Sequence, residues 1–208
     1  MKRNEKEQIK ALEMNSRFAL ICIIVLSGIL TSCGISDQFS QARQISQCNF
    51  EFQKVEDVFL AGIPLVEGMK RNDLNAGQVM QLAGALFSSN LPLDFNIWVK
   101  ISNPNNKNAY LNRMDYEVFL DGNKLITGNL DEPIFIQAND TSILKIPVEA
   151  ELFKVLSGKS SEAVVNLGFR LTGKESREAE VEIRIKPYIK VGMKDLAYPG
   201  YISLKEKI

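Results

Sequence analysis

The chain contains no histidine, one tryptophan, three cysteines and seven prolines in 208 residues, and 25 acidic side chains match its 25 basic ones. Without histidine the commonest general base and the commonest metal ligand are missing, which excludes a Ser-His-Asp triad, a Cys-His dyad and a His-ligated zinc site from this chain alone. Charge balance removes the electrostatic case for nucleic-acid binding, which needs a clustered excess of Lys and Arg. No apolar run reaches the ~20 residues of a comfortable transmembrane helix. No internal repeat of about 20 to 50 residues is visible. What is present is bulk, a hydrophobic content of 45%, enough for an ordered core in one or two domains.

The longest charge-free apolar stretch runs from Phe18 to Leu30, thirteen residues that follow Arg17 and a leader containing Lys and Arg. That is the length of a signal-peptide core. It ends at Leu30-Thr31-Ser32-Cys33, a small residue directly before a cysteine, which resembles the bacterial lipobox. The resemblance implies cleavage between Ser32 and Cys33 and acylation of the Cys33 sulfur. Within the leader, Met14-Asn15-Ser16-Arg17 alone would make a compact basic n-region, so Met14 is expected as the start. Gly34 follows Cys33, so no acidic retention signal is present, and attachment to the outer membrane of a bacterial envelope is the expectation.

Removing residues 1–32 leaves 176 residues with 20 basic and 22 acidic side chains, a formal charge of −2. Cys22 leaves with the signal and Cys33 takes lipid, so Cys48 is the one remaining thiol and no intramolecular disulfide can form. Cys48 is expected as a small buried hydrophobe. The polar Ser/Gln-rich residues after Cys33, ending at Gln47, read as a flexible tether with a reach of about 20 Å. The expected organisation is signal peptide 1–32, tether 33–47, folded domain 48–192 and C-terminal tail 193–208.

From Asn49 the dominant period is two. Leu91, Leu93, Phe95, Ile97, Val99 and Ile101 alternate with polar or outward residues, and so do Ala163, Val165, Leu167, Phe169 and Leu171, the pattern of strands with one buried face. Further strands are expected at 50–55, 58–63, 115–120, 124–128, 133–137, 142–148 and 179–191. Asp121-Gly122 is the chemistry of a tight hairpin turn. In the last long strand, Glu180, Glu182, Arg184 and Lys186 form a charged face directed at water. Over 75–88 the period changes: Val79, Leu82, Ala83 and Leu86 share a helical face, with Asn75 and Gln78 as a capping box. A short helical turn is expected over 150–156. These elements make a mostly β fold, an antiparallel immunoglobulin/fibronectin III-like β-sandwich with one capping α-helix.

Three segments, Phe95 to Asn105, Tyr116 to Gly128 and Ile143 to Val148, follow an ordered pattern: an alternating strand into Asn-Pro-Asn, a polar hairpin, a return strand ending in Gly, and an apolar strand leading to Pro-Val. This set resembles the late embryogenesis abundant type 2 family, whose members share the water stress and hypersensitive response domain. The resemblance spans about residues 50–191. It implies a fibronectin-like sandwich and a role in protection or interaction under water stress, without catalysis or cofactor. Chemically, Asn103, Pro104 and Asn105 suffice as a structural turn: Asn103 can bond backbone two residues on, Pro104 fixes its own angle, and Asn105 tolerates the left-handed region.

Other signals are weaker. Gly158-Lys159-Ser160 lacks the earlier glycine of a phosphate loop, since Phe153 stands there. Ser157, Ser160 and Ser161 beside Lys159 offer the one hydrolytic pair that histidine loss leaves open, with nothing to set its geometry. Carboxylates are scattered without calcium-loop spacing, so no catalytic residue and no metal ligand is assigned. Trp98 stands opposite Ile97 and Val99, where it marks a partner surface or packs beneath the capping helix, the second being expected. The reading is a lipid-anchored noncatalytic envelope protein whose partners are membrane lipid, through the acyl anchor, and an envelope protein, with no nucleic acid. The alternatives are a carrier of a small hydrophobic ligand or lipid and, behind it, a His-free hydrolase.

Overall fold

The computed structural model describes residues 44–172, 179–191 and 194–208. Strands β1 (Asn49–Leu60), β2 (Ile63–Leu65), β3 (Pro92–Ser102) and β8 (Thr141–Glu151) form one antiparallel sheet in the order β2-β1-β3-β8. A second sheet has the order β10-β9-β5-β6, built from β5 (Arg113–Leu120), β6 (Asn123–Leu130), β9 (Glu180–Val191) and β10 (Lys194–Ala197), and β11 (Ile202–Lys207) also pairs with β9. A small ribbon joins β4 (Ala109–Leu111) to β7 (Ile134–Ile136).

The alternation in β3 has a direct structural cause. Paired with β8 along its whole length, from Pro92 opposite Glu151 to Ser102 opposite Thr141, β3 turns Leu93, Phe95, Ile97, Val99 and Ile101 inward. Val118, Leu120, Val181, Ile183 and Ile185 of the second sheet complete the same core. The result is the sandwich the period of two requires. Between β5 and β6, Asp121 and Gly122 both take positive φ, 49° and 75°, the pairing a two-residue hairpin needs for its twist. Opposite Tyr116 on the return strand stands Gly128. A Cβ there would lie 2.5 Å from the Tyr116 ring, so glycine is what lets the ring lie flat across β6.

Helix α1 (Ala76–Phe87) begins as its sequence requires, with Asn75 Oδ1 accepting from the Gln78 amide and Gln78 Oε1 accepting from the Asn75 amide. The short helix α2 (Leu152–Val155) also falls where expected. Residues 161–170 do not. The expected strand over 163–171 is helix α3 (Ser161–Arg170), capped by Ser160, whose hydroxyl accepts from the Ala163 amide. Val164, Val165, Leu167 and Phe169 are all buried by it. A nearly continuous apolar run satisfies the helical and the strand period together, and burial decides between them at ~1.5–3 kcal/mol per large side chain. The sandwich is therefore closed mainly by α3, while α1, the expected cap, buries Leu82 alone.

Both ends of the folded body extend past their expected limits. Residues 44–46 form a helical turn with Gln44 and Ile45 buried, so the folded body includes part of the segment read as tether. The segment read as a tail supplies β10 and β11. Its register explains a second departure, because the charged face of β9 is partly covered. Glu182 is 5% exposed and accepts from Arg184 Nε at 2.6 Å and Ser203 Oγ at 2.8 Å, with Lys205 Nζ at 3.2 Å. The Arg184 guanidinium first, and then the Ser203 and Lys205 donors, overcome burial and lower the carboxyl from 4.5 to about 2.

Candidate functional site

Ser32 and Cys33, the expected cleavage and acylation positions, lie outside the described residues. Gln44, the first described residue, marks one end of the sandwich, the entry end. There the Asn103-Pro104-Asn105 turn, Gln44 and the β4–β7 ribbon meet. Asn103 is 1% exposed. Its Nδ2 donates to the carbonyls of Lys107 at 3.0 Å, Ile136 at 3.2 Å and Gln137 at 2.9 Å, while Oδ1 accepts from the Asn105 amide at 3.1 Å and from Asn105 Nδ2 at 2.8 Å. Pro104 is exposed.

The local bond from Asn103 to the amide two residues on is the one its sequence context predicts. The bonds to Ile136 and Gln137 join segments over thirty residues apart, and only the asparagine itself hinted at them. Asn105 does not use the left-handed region. That conformation belongs to Asn139 in the facing turn (φ 57°), whose amide donates to the Asn105 carbonyl at 3.0 Å. The Asn105 side chain instead donates to the Gln44 carbonyl at 3.1 Å, and Cys48 Sγ donates to the same oxygen at 3.3 Å. Cys48 is thus the buried small residue expected, and burial pushes its thiol up to about 11, which keeps it protonated and unreactive near neutrality.

Trp98 does not pack beneath α1. It stands on the outer face of the first sheet between its cross-strand neighbours Lys54 and Lys145, whose ammonium groups each lie 5.6 Å from the ring centroid. Inward positions of β3 belong to the smaller residues on either side, and parity sends Trp98 the other way. Its indole N–H is buried and meets no acceptor among the described residues.

Open clefts lie toward the opposite end among the described residues. One, of about 780 Å³, runs between α3 and the Asp121-Gly122 turn. Its floor is an ionic clasp in which Arg170 meets both carboxylate oxygens of Asp121, with Arg170 Nη2 donating to Asp121 Oδ1 at 3.1 Å and the Glu180 amide donating to the same oxygen at 3.0 Å. Lys159 and Lys207 stand at the rim. Ser160, one of the Ser-Lys candidates, is engaged as the α3 cap. Another cleft, of about 740 Å³, follows β1 past Leu171 and Ile208. No cluster of three or more metal-ligating side chains occurs among the described residues.

The family model described as Late embryogenesis abundant protein matches residues 98–199, from Trp98 in mid-β3 to just beyond β10. Among solved structures, the chain is similar to a crystallised protein from Archaeoglobus fulgidus, at 12% identity over 76% of this chain and 96% of that one, with a TM-score of 0.38. It is also similar to a protein from Arabidopsis thaliana solved in solution, at 17% identity over 56% and 69% of the two chains and a TM-score of 0.39. A third similarity is to a late embryogenesis abundant (LEA) protein, at 11% identity over 89% and 87% and a TM-score of 0.37. No curated protein matches the chain.

Proposed function

Because the chain belongs to the late embryogenesis abundant type 2 family through residues 98–199, a family that is generally non-enzymatic, we propose that it is a noncatalytic, lipid-anchored protein of the bacterial cell envelope. Its sandwich binds other macromolecules and protects them when water is scarce. The observation that carries the anchor is spacing. An apolar run of signal-core length ends in Leu30-Thr31-Ser32-Cys33, and ten positions lie between Cys33 and Gln44, which with Ile45 begins the described residues and is buried. That is room for a leash and too little for another domain.

Support for the binding half comes from α1. None of its twelve residues is charged, and Val79, Met80 and Phe87 are 50%, 76% and 95% exposed. Helical spacing puts these three side chains within about 100° of one another around α1, and contiguous exposed apolar patches mark interaction sites.

Two measurements test the two halves. Intact mass of the purified protein, with metabolic labelling by an alkynyl fatty acid, should show a lipid-modified chain beginning at Cys33, and Cys33→Ser should abolish both label and membrane retention. An unmodified sulfur behind an attached leader overturns the anchor. Deleting the gene should reduce survival after drying or osmotic shock, and unchanged survival across those stresses overturns the protective role.

A further inference from the structure

The position of Gln44, the first described residue, bears on which end of the domain an anchor at Cys33 would hold near a membrane. Gln44 is fixed by Asn105 and Cys48 at the end where β1 starts and β3 finishes, since Asn49 pairs with Ser102. Ten residues separate it from Cys33, a span of at most ~37 Å when fully extended. The sandwich measures about 36 Å along the eleven residues of β3. For α1, at the opposite end, to meet the bilayer that holds Cys33, the spacer would have to be stretched along the whole domain, at a large cost in chain entropy. The entry end needs no stretching.

That end carries its own exposed apolar side chains. Tyr110 and Phe135 face each other across the β4–β7 ribbon with ring centroids 4.9 Å apart, 44% and 46% exposed. Asn103 ties this ribbon to the entry point through the Ile136 and Gln137 carbonyls. Leu196 of β10, 49% exposed, belongs to the same end, because β10 pairs with the last residues of β9 and Asp195 accepts from Asn112 just past β4. Lys107 and Lys194 are exposed beside these residues.

We infer that the entry end of the sandwich rests on the surface of the lipid bilayer that holds Cys33, with Tyr110, Phe135 and Leu196 in the headgroup zone. This rests on the lipid-anchor reading above. Tyr110 is an aromatic ring with a polar tip, the kind of side chain that prefers that zone, Phe135 and Leu196 add apolar area beside it, and exposed lysines add attraction to anionic headgroups. Three half-exposed apolar groups bind lipid weakly by themselves. On a chain already held by its acyl group, docking becomes intramolecular and a weak preference suffices.

The test uses the full acylated chain in vesicles of phosphatidylethanolamine and phosphatidylglycerol with brominated acyl chains. Trp98→Phe removes the sole tryptophan, and Tyr110→Trp, Phe135→Trp or Phe87→Trp then places one reporter at either end. Reporters at 110 and 135 should shift to the blue and lose at least half their emission to the bromine atoms, while the reporter at 87 stays unquenched. Hydrogen exchange of the unsubstituted chain, compared between vesicles and detergent, should show severalfold protection at 106–111 and 134–137, which covers the case of a variant that fails to fold. Unquenched reporters at 110 and 135 on a chain whose mass carries the lipid overturn this inference alone, as does quenching at 87 in their place. A chain whose mass carries no lipid overturns the anchor, and this inference with it.

Discussion

The two ends of the sandwich are held by different physics. At the entry end the backbone runs through turns, and polar bonds that converge on Asn103 hold it in place. At the far end α3 plugs the core with Val164, Val165, Leu167 and Phe169, α1 lies over it with one buried side chain, and the Arg170–Asp121 clasp fastens α3 to the hairpin. Apolar burial is forgiving in direction, so helices can be laid on the far end. Buried carbonyls need a donor at one place, and at the entry end one side chain, Asn103, supplies it for three of them.

That contrast can be broken most directly at Asn103. Asn103→Leu leaves the Lys107, Ile136 and Gln137 carbonyls without their shared donor and should cost about 3 kcal/mol in urea unfolding of the full chain. A loss below 0.5 kcal/mol, the level of an ordinary surface change, would mean that the polar web does not hold this end. Gly128→Ala strains the sheet midway between the ends by driving a methyl group into the Tyr116 ring, for about 2 kcal/mol. It should lower the unfolding midpoint without altering either end selectively in hydrogen exchange. At the far end, Asp121→Ala removes the acceptor of Arg170 and of the Glu180 amide, and about 1.5 kcal/mol should be lost. Exchange should then rise first in α3, with the Asn103 turn unaffected.

A smaller effect appears only in acid. The Glu182 carboxyl is depressed to about 2 from 4.5, so the stability its charge contributes is complete above pH 4.5 and is lost as pH falls through about 2. Glu182→Gln should remove that slope from a pH series of melting temperatures, and an unchanged slope would assign it to other carboxylates. Phe87→Ser, at 95% exposure, should change stability by less than about 0.5 kcal/mol. Its effect should appear in crosslinking of the chain to neighbours in intact cells.

Much of the sandwich was legible because strand alternation is a property of neighbouring residues. The β3, β5 and β6 segments, the Asp121-Gly122 turn and the Asn75 cap are each specified within a dozen positions. Helix α3 was not, since its apolar run fits both periods and the choice depends on the open end of the sandwich it closes. Strands β10 and β11 were missed for a related reason. Each is short and mixed in charge, and pairs because β9 offers a free edge beside it. Trp98 was placed on its correct face by parity, yet its neighbours Lys54 and Lys145 are set by register.

The same division applies to Asn103 and to the entry point. The residue order alone determined a β-rich domain after an apolar stretch and a cysteine, and a turn at Asn103-Pro104-Asn105, because each of these depends on side chains close together in the chain. Only the tertiary structure decided that Asn103 would bind Ile136 and Gln137, that Glu182 would be buried under Ser203 and Lys205, and that Tyr110 and Phe135 would share an end with Gln44. Those pairings bring together segments separated by many residues, and nothing in local periodicity encodes which distant backbone group arrives at which side chain.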